Sequence, residues 1–411
     1  MLTPSIAFNV ALFSFAVRAI STTSRGSDKV FPLDPGFDIR AVVELAVSLP
    51  SHSWEFGTAS EALLELWNSS LSVFGPTPFE AASELFQDIS VVNSIPSLSY
   101  ARSNIVFGTG ADVLSNGDGA VGDPASLGVS AVLLGISGNE TLKAAAAREA
   151  NYLLTEAPRF WNGAISQRVG YAELWADFVY MAPPFLAYYA VVNSDAKLLQ
   201  QTVEQCGLYR QVLQKNVSSS TPYKGIWEHI IGPVNQDTGV WSTGNAWAAA
   251  GMTRVLATVL KAPSAITSGW KDSAVADLTQ WIKEIVDGVI DGEHFTVASD
   301  GLLRNYLNDV SGDGHGYGET SGTALLASVV YRLVILQPDI FHDRTYIDWA
   351  DGLRETLAEH ITSNGTATPS VNPLNWADTV PYTAGSPEGQ SFQVLLYSAW
   401  RSCVLAGVCE S

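Results

Sequence analysis

The stretch from Tyr171 to Val192, YAELWADFVYMAPPFLAYYAVV, constrains this chain more than any other. It is apolar almost all the way round, with charge only at Glu173 and Asp177. A helix of that composition is sunk in a core rather than laid across one. Asp177 stands among Trp175, Phe178, Tyr180 and Met181. Burying an unpaired carboxylate is costly, so Asp177 either caps or pairs, or it has a chemical task.

The rest of the chain supplies the core such a helix needs: 411 residues, 47% hydrophobic and only 15% charged. Lys+Arg 22 against Asp+Glu 41 gives a net charge of −19, which argues against nucleic acid or an anionic membrane as partner. Twelve Trp and fourteen Tyr suit stacking on sugars as well as plain packing. Residues 1–19 read as a signal peptide, with an apolar run from Ile6 to Val17, and 20–35 as a flexible N-terminal segment. Sequons at Asn68, Asn139, Asn216 and Asn364 agree with a secreted glycoprotein. Cys403 and Cys409 are spaced to close a small loop, leaving Cys206 free. No later stretch is long and apolar enough to span a bilayer.

No linker or low-complexity tract divides residues 36–411, which read as a single domain. Periodicity predicts helices near 36–49, 57–73, 78–90, 123–137, 140–156, 175–192, 195–213, 244–260, 268–288, 319–336, 345–362 and 387–407. Segment 195–213 is amphipathic, whereas 175–192, 244–260 and 319–336 are apolar and rich in small residues. Alternation of half-exposed and buried helices predicts an all-α fold, the (α/α)6 barrel, a six-hairpin toroid. A less ordered helical bundle or solenoid is the alternative.

The unusual residues fall at the starts of the buried helices. Asp123 lies in VGDPASLG, Asp177 in WADFVYM, Trp241, Asn245 and Trp247 in WSTGNAW, Glu319 in GYGETSGTALL, and Gln390 after SPEG. In a toroid those ends gather at one mouth, where unpaired N–H groups favour oxygen-rich or anionic ligands. The predicted pocket holds Asp123, Asp177, Glu319, Trp241, Trp247 and His229 of GIWEHI. Two carboxyls in unlike settings can divide acid and base roles. Asp177, in the more apolar setting, is predicted to be the proton donor with a raised pKa, and Asp123 to be wetter and ionised. Asp-Pro is also an ordinary helix start, and a lone His commonly bonds within a packed loop; both alternatives stand. There is no HExxH, CxxC or GxSxG, and GDGHGYG lacks the remaining ligands of a calcium loop, so no metal or cofactor is expected.

These motifs resemble a known family. LWADFVYMAPPF resembles the LWxDxxxMxxPF element of the unsaturated glucuronyl and rhamnogalacturonyl hydrolases, the six-hairpin glycosidases of families 88 and 105. GIWEHI resembles their loop with a sugar-facing His, WSTGNAWAAAGM their W-x-R-G-N-G-W element, and ETSGTALL their acidic helix start. The resemblance implies the same barrel, and protonation of C4 followed by water addition at C5 of a 4,5-unsaturated uronyl oligosaccharide. It implies Asp177 as general acid/base and Asp123 holding substrate or water. His229, Trp175, Trp241, Thr243, Asn245, Trp247 and Glu319 would then surround the sugar. One departure stands out: Thr243 occupies the place of the motif's Arg, the natural partner of a uronate carboxylate. Arg168 and Arg304 are the other candidates for that task. The competing readings are a glycosidase of the same barrel acting on saturated or neutral sugars, with Asp177 and Asp123 or Glu319 as its pair, and a non-catalytic secreted sugar-binding relative.

Overall fold

Helices that are apolar on every side must be surrounded, and a ring of such helices inside a ring of amphipathic ones meets that demand. The computed structural model of the chain describes residues 30–85, 92, 94–214, 224–292, 297–311 and 314–411, and has this arrangement. Its main helices are α1 (Ile39–Ser48), α2 (Ser53–Trp67), α3 (Pro78–Leu85), α4 (Pro96–Asn104), α5 (Gly128–Ile136), α6 (Glu140–Thr155) and α7 (Phe178–Met181). They continue with α8 (Pro183–Val192), α9 (Ala196–Leu213), α10 (Ser242–Lys261), α11 (Lys271–Asp291), α12 (Thr320–Leu336), α13 (Arg344–Glu359) and α14 (Pro387–Leu405). Among the described residues the inner ring runs α2, α5, α8, α10, α12, α14, and α14 closes back on α2. A 3-10 turn, Asp123–Leu127, fills the seam between α2 and α5. Helices α4, α6, α9, α11, α13 and α1 each back one inner helix from outside. The barrel is the predicted six-hairpin toroid, and Leu33–Ser411 form one compact unit.

The inner helices are parallel because an outer helix returns the chain between each one and the next. Their N-terminal ends therefore share one face, reached by long loops whose described parts are 105–122, 156–173, 224–241, 297–311, 314–319 and 360–386. Small residues allow the close approach this needs. A Cβ on Gly251 of α10 would lie 2.1 Å from the Val179 carbonyl oxygen of α7. The sequence reading differs in two places. The helix expected over 175–192 is broken: Leu174–Trp175 form a short strand, and Pro183 and Pro184 lack the N–H groups that would join α7 to α8. Helix α4 was not anticipated, because PSLSYARSN carries too weak an apolar stripe. Residues 1–29 and Asn216 lie outside the described residues. Cys403 and Cys409 form a disulfide, and Cys206 is free and buried, its thiol pushed up by burial to about 12.

At the opposite face, three arginines in the later turns of inner helices meet two glutamates of α2. Arg254 pairs with Glu61 at 2.9 Å and with Glu65, Arg332 binds Glu65 at 2.6 Å, and Arg401 donates to the Glu65 and Leu66 carbonyl oxygens. All of them are buried around a small cavity or beside it. The cations sit toward the negative ends of the inner-helix dipoles. Removing one partner of such a cluster leaves a buried charge unmatched. Glu65→Gln is expected to cost about 3–5 kcal/mol in denaturant unfolding. A loss below about 1 kcal/mol would show that the cluster contributes little.

Candidate active site

The mouth is built from loops, and the loops are fixed by backbone pairing. Strand β1 (Leu174–Trp175) pairs antiparallel with β2 (Ile230–Ile231), which brings GIWEHI against the start of α7. Ala176 N donates to the His229 carbonyl oxygen at 3.0 Å. The result sets His229 Nε2 3.3 Å from Asp177 Oδ2, in ion-pair range but off the line of a hydrogen bond. On the other side His229 Nδ1 lies 3.0 Å from Asp237 Oδ2, which also accepts the Tyr306 hydroxyl. The imidazole is buried, whereas the Asp177 side chain keeps 16% of its surface open. Burial opposes charge on His229, but Asp177 and Asp237 outweigh it and lift the imidazole above its ordinary pKa. Trp175, Trp241 and Trp376 box the ring, at centroid distances of 5.9, 4.4 and 5.2 Å from His229.

Asp123 opens the 3-10 turn ahead of α5. Its Oδ1 accepts Gln167 Nε2 at 2.7 Å. Part of the residue reaches solvent, yet burial pushes its carboxyl up to about 7; the Gln167 hydrogen bond opposes this and the nearby Asp177 charge adds to it. The expected wetter Asp123 does reach solvent in part, but burial lifts its carboxyl in spite of the Gln167 hydrogen bond, where an ionised group in the ordinary range was expected. Arg168 lies 5.9 Å from the Trp175 ring centroid, donates Nη2 to the Asp118 carbonyl oxygen, and has a buried Nε with no partner. Its charge acts on Asp123. Arg304 instead binds the Gly316 carbonyl oxygen at 2.7 Å.

Several residues expected around the sugar are walls. Glu319 is fully buried as the N-cap of α12, accepting Ser321 N at 2.6 Å and Gly322 N at 2.5 Å. Ser242 and Thr243 also donate to it, at 2.9 and 3.3 Å. Asn245 clamps the preceding loop through Trp227 N, Trp227 O and Trp241 O. Trp247 has no exposed surface and packs on Tyr180 and Phe392, so it belongs to the core and not to the mouth. Its place two residues after Asn245 turns it inward along the helix, which the motif alone does not reveal. Trp241 is 3% exposed, tied through Nε1 to Asn305, and Trp175 is half-buried with Nε1 on Glu173. Gln390 holds Ala367 N and the Gly365 carbonyl oxygen.

Sequence reasoning passed over Gln167, Asp237, Tyr306, Trp376 and Glu388. Glu388, in the first turn of α14, accepts Trp54 Nε1 at 2.5 Å and has one buried carboxyl oxygen unpartnered. Burial pushes it well above the usual carboxylate range. Its position at an inner-helix start, like Asp177 and Glu319, was the available signal.

The model of the family described as Glycosyl Hydrolase Family 88 matches residues 123–372. The chain belongs to that family. No curated protein sequence matches it. Solved structures similar to the family 88 chain include a possible member of family 105 from Salmonella enterica, at 15% identity, covering 90% of this chain and 94% of that one, with a TM-score of 0.63. An unsaturated glucuronyl hydrolase specific for heparin aligns at 13% identity over 93% of this chain and 100% of its own, with a TM-score of 0.58. The α-1,6-mannanase GH76A from Salegentibacter aligns at 13% over 90% and 100%, also with a TM-score of 0.58. Membership makes the chain a glycoside hydrolase, and the structural likenesses carry the barrel.

The raised Asp123 has a consequence for stability. Its folded pKa, about 7, exceeds its unfolded value, so its contribution is complete below about pH 4 and is lost as the pH rises to 7. With its partial exposure discounted, the charged form costs about 2 kcal/mol. Asp123→Asn, measured against the parent by urea unfolding, is expected to gain about that much stability between pH 4 and pH 8. Parallel pH–stability curves for the two proteins would contradict the assignment.

Proposed function

We propose that this family 88 hydrolase acts outside the cell on unsaturated uronyl oligosaccharides of the pectin or rhamnogalacturonan type, by protonating and hydrating the C4=C5 double bond. The observation that carries this reading is the pair of carboxyls at the mouth. Asp177 faces His229 at 3.3 Å, Asp123 is pushed up to about 7, and three tryptophans stand around His229. In this reading the Asp177–His229 pair passes a proton to C4. Positive charge then develops at C5 and the ring oxygen. Water adds at C5 and gives its proton to Asp123, whose affinity near neutrality suits that exchange. The hemiketal opens and releases the remaining sugar. Arg168, beside Trp175 with a free Nε, takes the sugar carboxylate in place of the arginine that Thr243 replaces. Secretion is supported by the Cys403–Cys409 disulfide and by the exposed sequon at Asn364.

Thr243 favours a second reading. With no arginine there, and Thr243 turned onto Glu319, the site suits a saturated or neutral sugar cleaved by the same carboxyl pair. The similar barrel of the mannanase is compatible with it.

Lyase-generated disaccharides separate the two, since only the first reaction abolishes the ultraviolet absorbance of the double bond. The parent is expected to bleach it. Asp177→Asn is expected to lose about 10³-fold in turnover with unfolding nearly unchanged, and Arg168→Met to raise KM about tenfold with kcat little altered. Cleavage of a saturated glycoside without bleaching would install the second reading. Full activity in a folded Asp177→Asn would remove Asp177 from the chemistry.

A further inference from the structure

Asp237 is not part of any motif, yet it is the better-made contact of His229. It follows β2 at a tight return, where Ile230 and Asp237 exchange both backbone hydrogen bonds at 2.8 and 2.9 Å. Its Oδ1 accepts Gly239 N at 2.9 Å, and its Oδ2 takes His229 Nδ1 and the Tyr306 hydroxyl together. Tyr306 comes from the loop before α12 and is locked there, with Leu307 N on the Val240 carbonyl oxygen at 2.9 Å and its ring 4.6 Å from His315. Gly239 makes room for it: a Cβ at that position would lie 2.3 Å from Tyr306 Cε1. Among the described residues, the charged groups facing His229 are Asp177 from the start of α7 and Asp237 from this return. Its other ring contacts are aromatic.

We propose that Asp237, anchored by Tyr306, is a positioning residue: by occupying His229 Nδ1 it fixes the ring so that Nε2 is the edge presented to Asp177, as a lone pair when the ring is neutral and as N–H when it is charged. This rests on reading Asp177 and His229 as the reacting pair. With Nδ1–H committed to Asp237, the imidazole can neither flip nor choose the other tautomer. Neither Nε2 nor Asp177 Oδ2 has another partner, so the short gap between them is left for substrate binding to close.

The test uses the whole protein labelled with ¹⁵N-histidine, and needs no substrate. In the parent, His229 should titrate above the ordinary imidazole range. In Asp237→Asn its pKa should fall by about one unit or more, because a charge in contact is gone. Tyr306→Phe keeps the ring over Gly239 but frees Asp237 of a competing donor, so the His229 pKa should rise. Opposite displacements are not what general loosening of the loop would give. On whichever sugar the parent turns over, Asp237→Asn should lower kcat about 10²-fold or more with KM within about threefold and the pH profile displaced to lower pH. A folded Asp237→Asn with an unmoved His229 titration and a parental pH profile overturns the proposal. If Asp237→Asn does not fold, an unmoved titration in Tyr306→Phe overturns it instead. If the parent turns over no unsaturated disaccharide, the substrate reading falls and the titrations still decide the positioning.

Discussion

Six inner helices that all point the same way impose a polarity on the whole molecule. At one face their first turns leave N–H groups without intrahelical partners; at the other their last carbonyls are left over. The chain answers each end with the opposite charge. Glu55 lies in the first turn of α2, Asp123 opens the turn into α5, and Asp177 starts α7. Glu319 caps α12 and Glu388 lies in the first turn of α14. Toward the carbonyl ends Arg254, Arg332 and Arg401 converge on α2. The acidic mouth is thus a result of the barrel's construction before it is a result of its chemistry.

The same constraint explains why so much motif sequence is buried. Among the described residues the mouth loops contain only the short β1–β2 pair and single bridges, so most of their amides and carbonyls must find partners elsewhere. Asn245 satisfies the Trp227 and Trp241 backbone, Gln390 that of Gly365 and Ala367, and Glu173 the amides of Val234 and Asn235. These side chains hold the loops at a fixed height over the inner-helix starts. Asp177, His229 and Asp123 then meet although they lie far apart along the chain. A change in a clamp alters the site without touching the reacting groups.

This division decides what could be read from the sequence. The buried character of 175–192, 244–260 and 319–336 and the placing of odd residues at helix starts were enough for the toroid and for the convergence of Asp123, Asp177 and His229. They did not separate residues that line the mouth from residues that hold it. Trp241 and Trp247 look alike in WSTGNAW, yet one faces His229 and the other packs on Phe392, because six positions along a helix carry the second indole past the first turn and into the barrel. Asp237 and Tyr306 gave no signal at all. Their partnership spans 69 positions and depends on a glycine that only the folded loop shows to be required. Trp376 likewise comes from the last loop, where nothing periodic marks it.

An enzyme of net charge −19 that takes an anionic sugar needs its mouth to be less negative than its carboxyl count. Under the proposed reading, Asp123, His229 and Arg168 each moderate that charge. Burial holds the Asp123 carboxyl at about 7, so near neutrality it carries only part of a full negative charge while its ionised fraction can still accept the water's proton. His229 lies between Asp177 and Asp237, which hold its imidazole above the ordinary pKa although burial opposes charge there. Arg168 contributes a cation at the rim, 5.9 Å from Trp175, where a sugar stacked on the indole would present a ring carboxylate. The arginine missing at Thr243 is then a question of where the carboxylate is held and not of whether it can be held. With Thr243 drawn onto Glu319, no arginine stands at that position, and under the proposed reading Arg168 takes the anionic substituent instead. Under the proposed reading the anion would lie by Trp175 and the double bond over Asp177, whose side chain keeps 16% of its surface open.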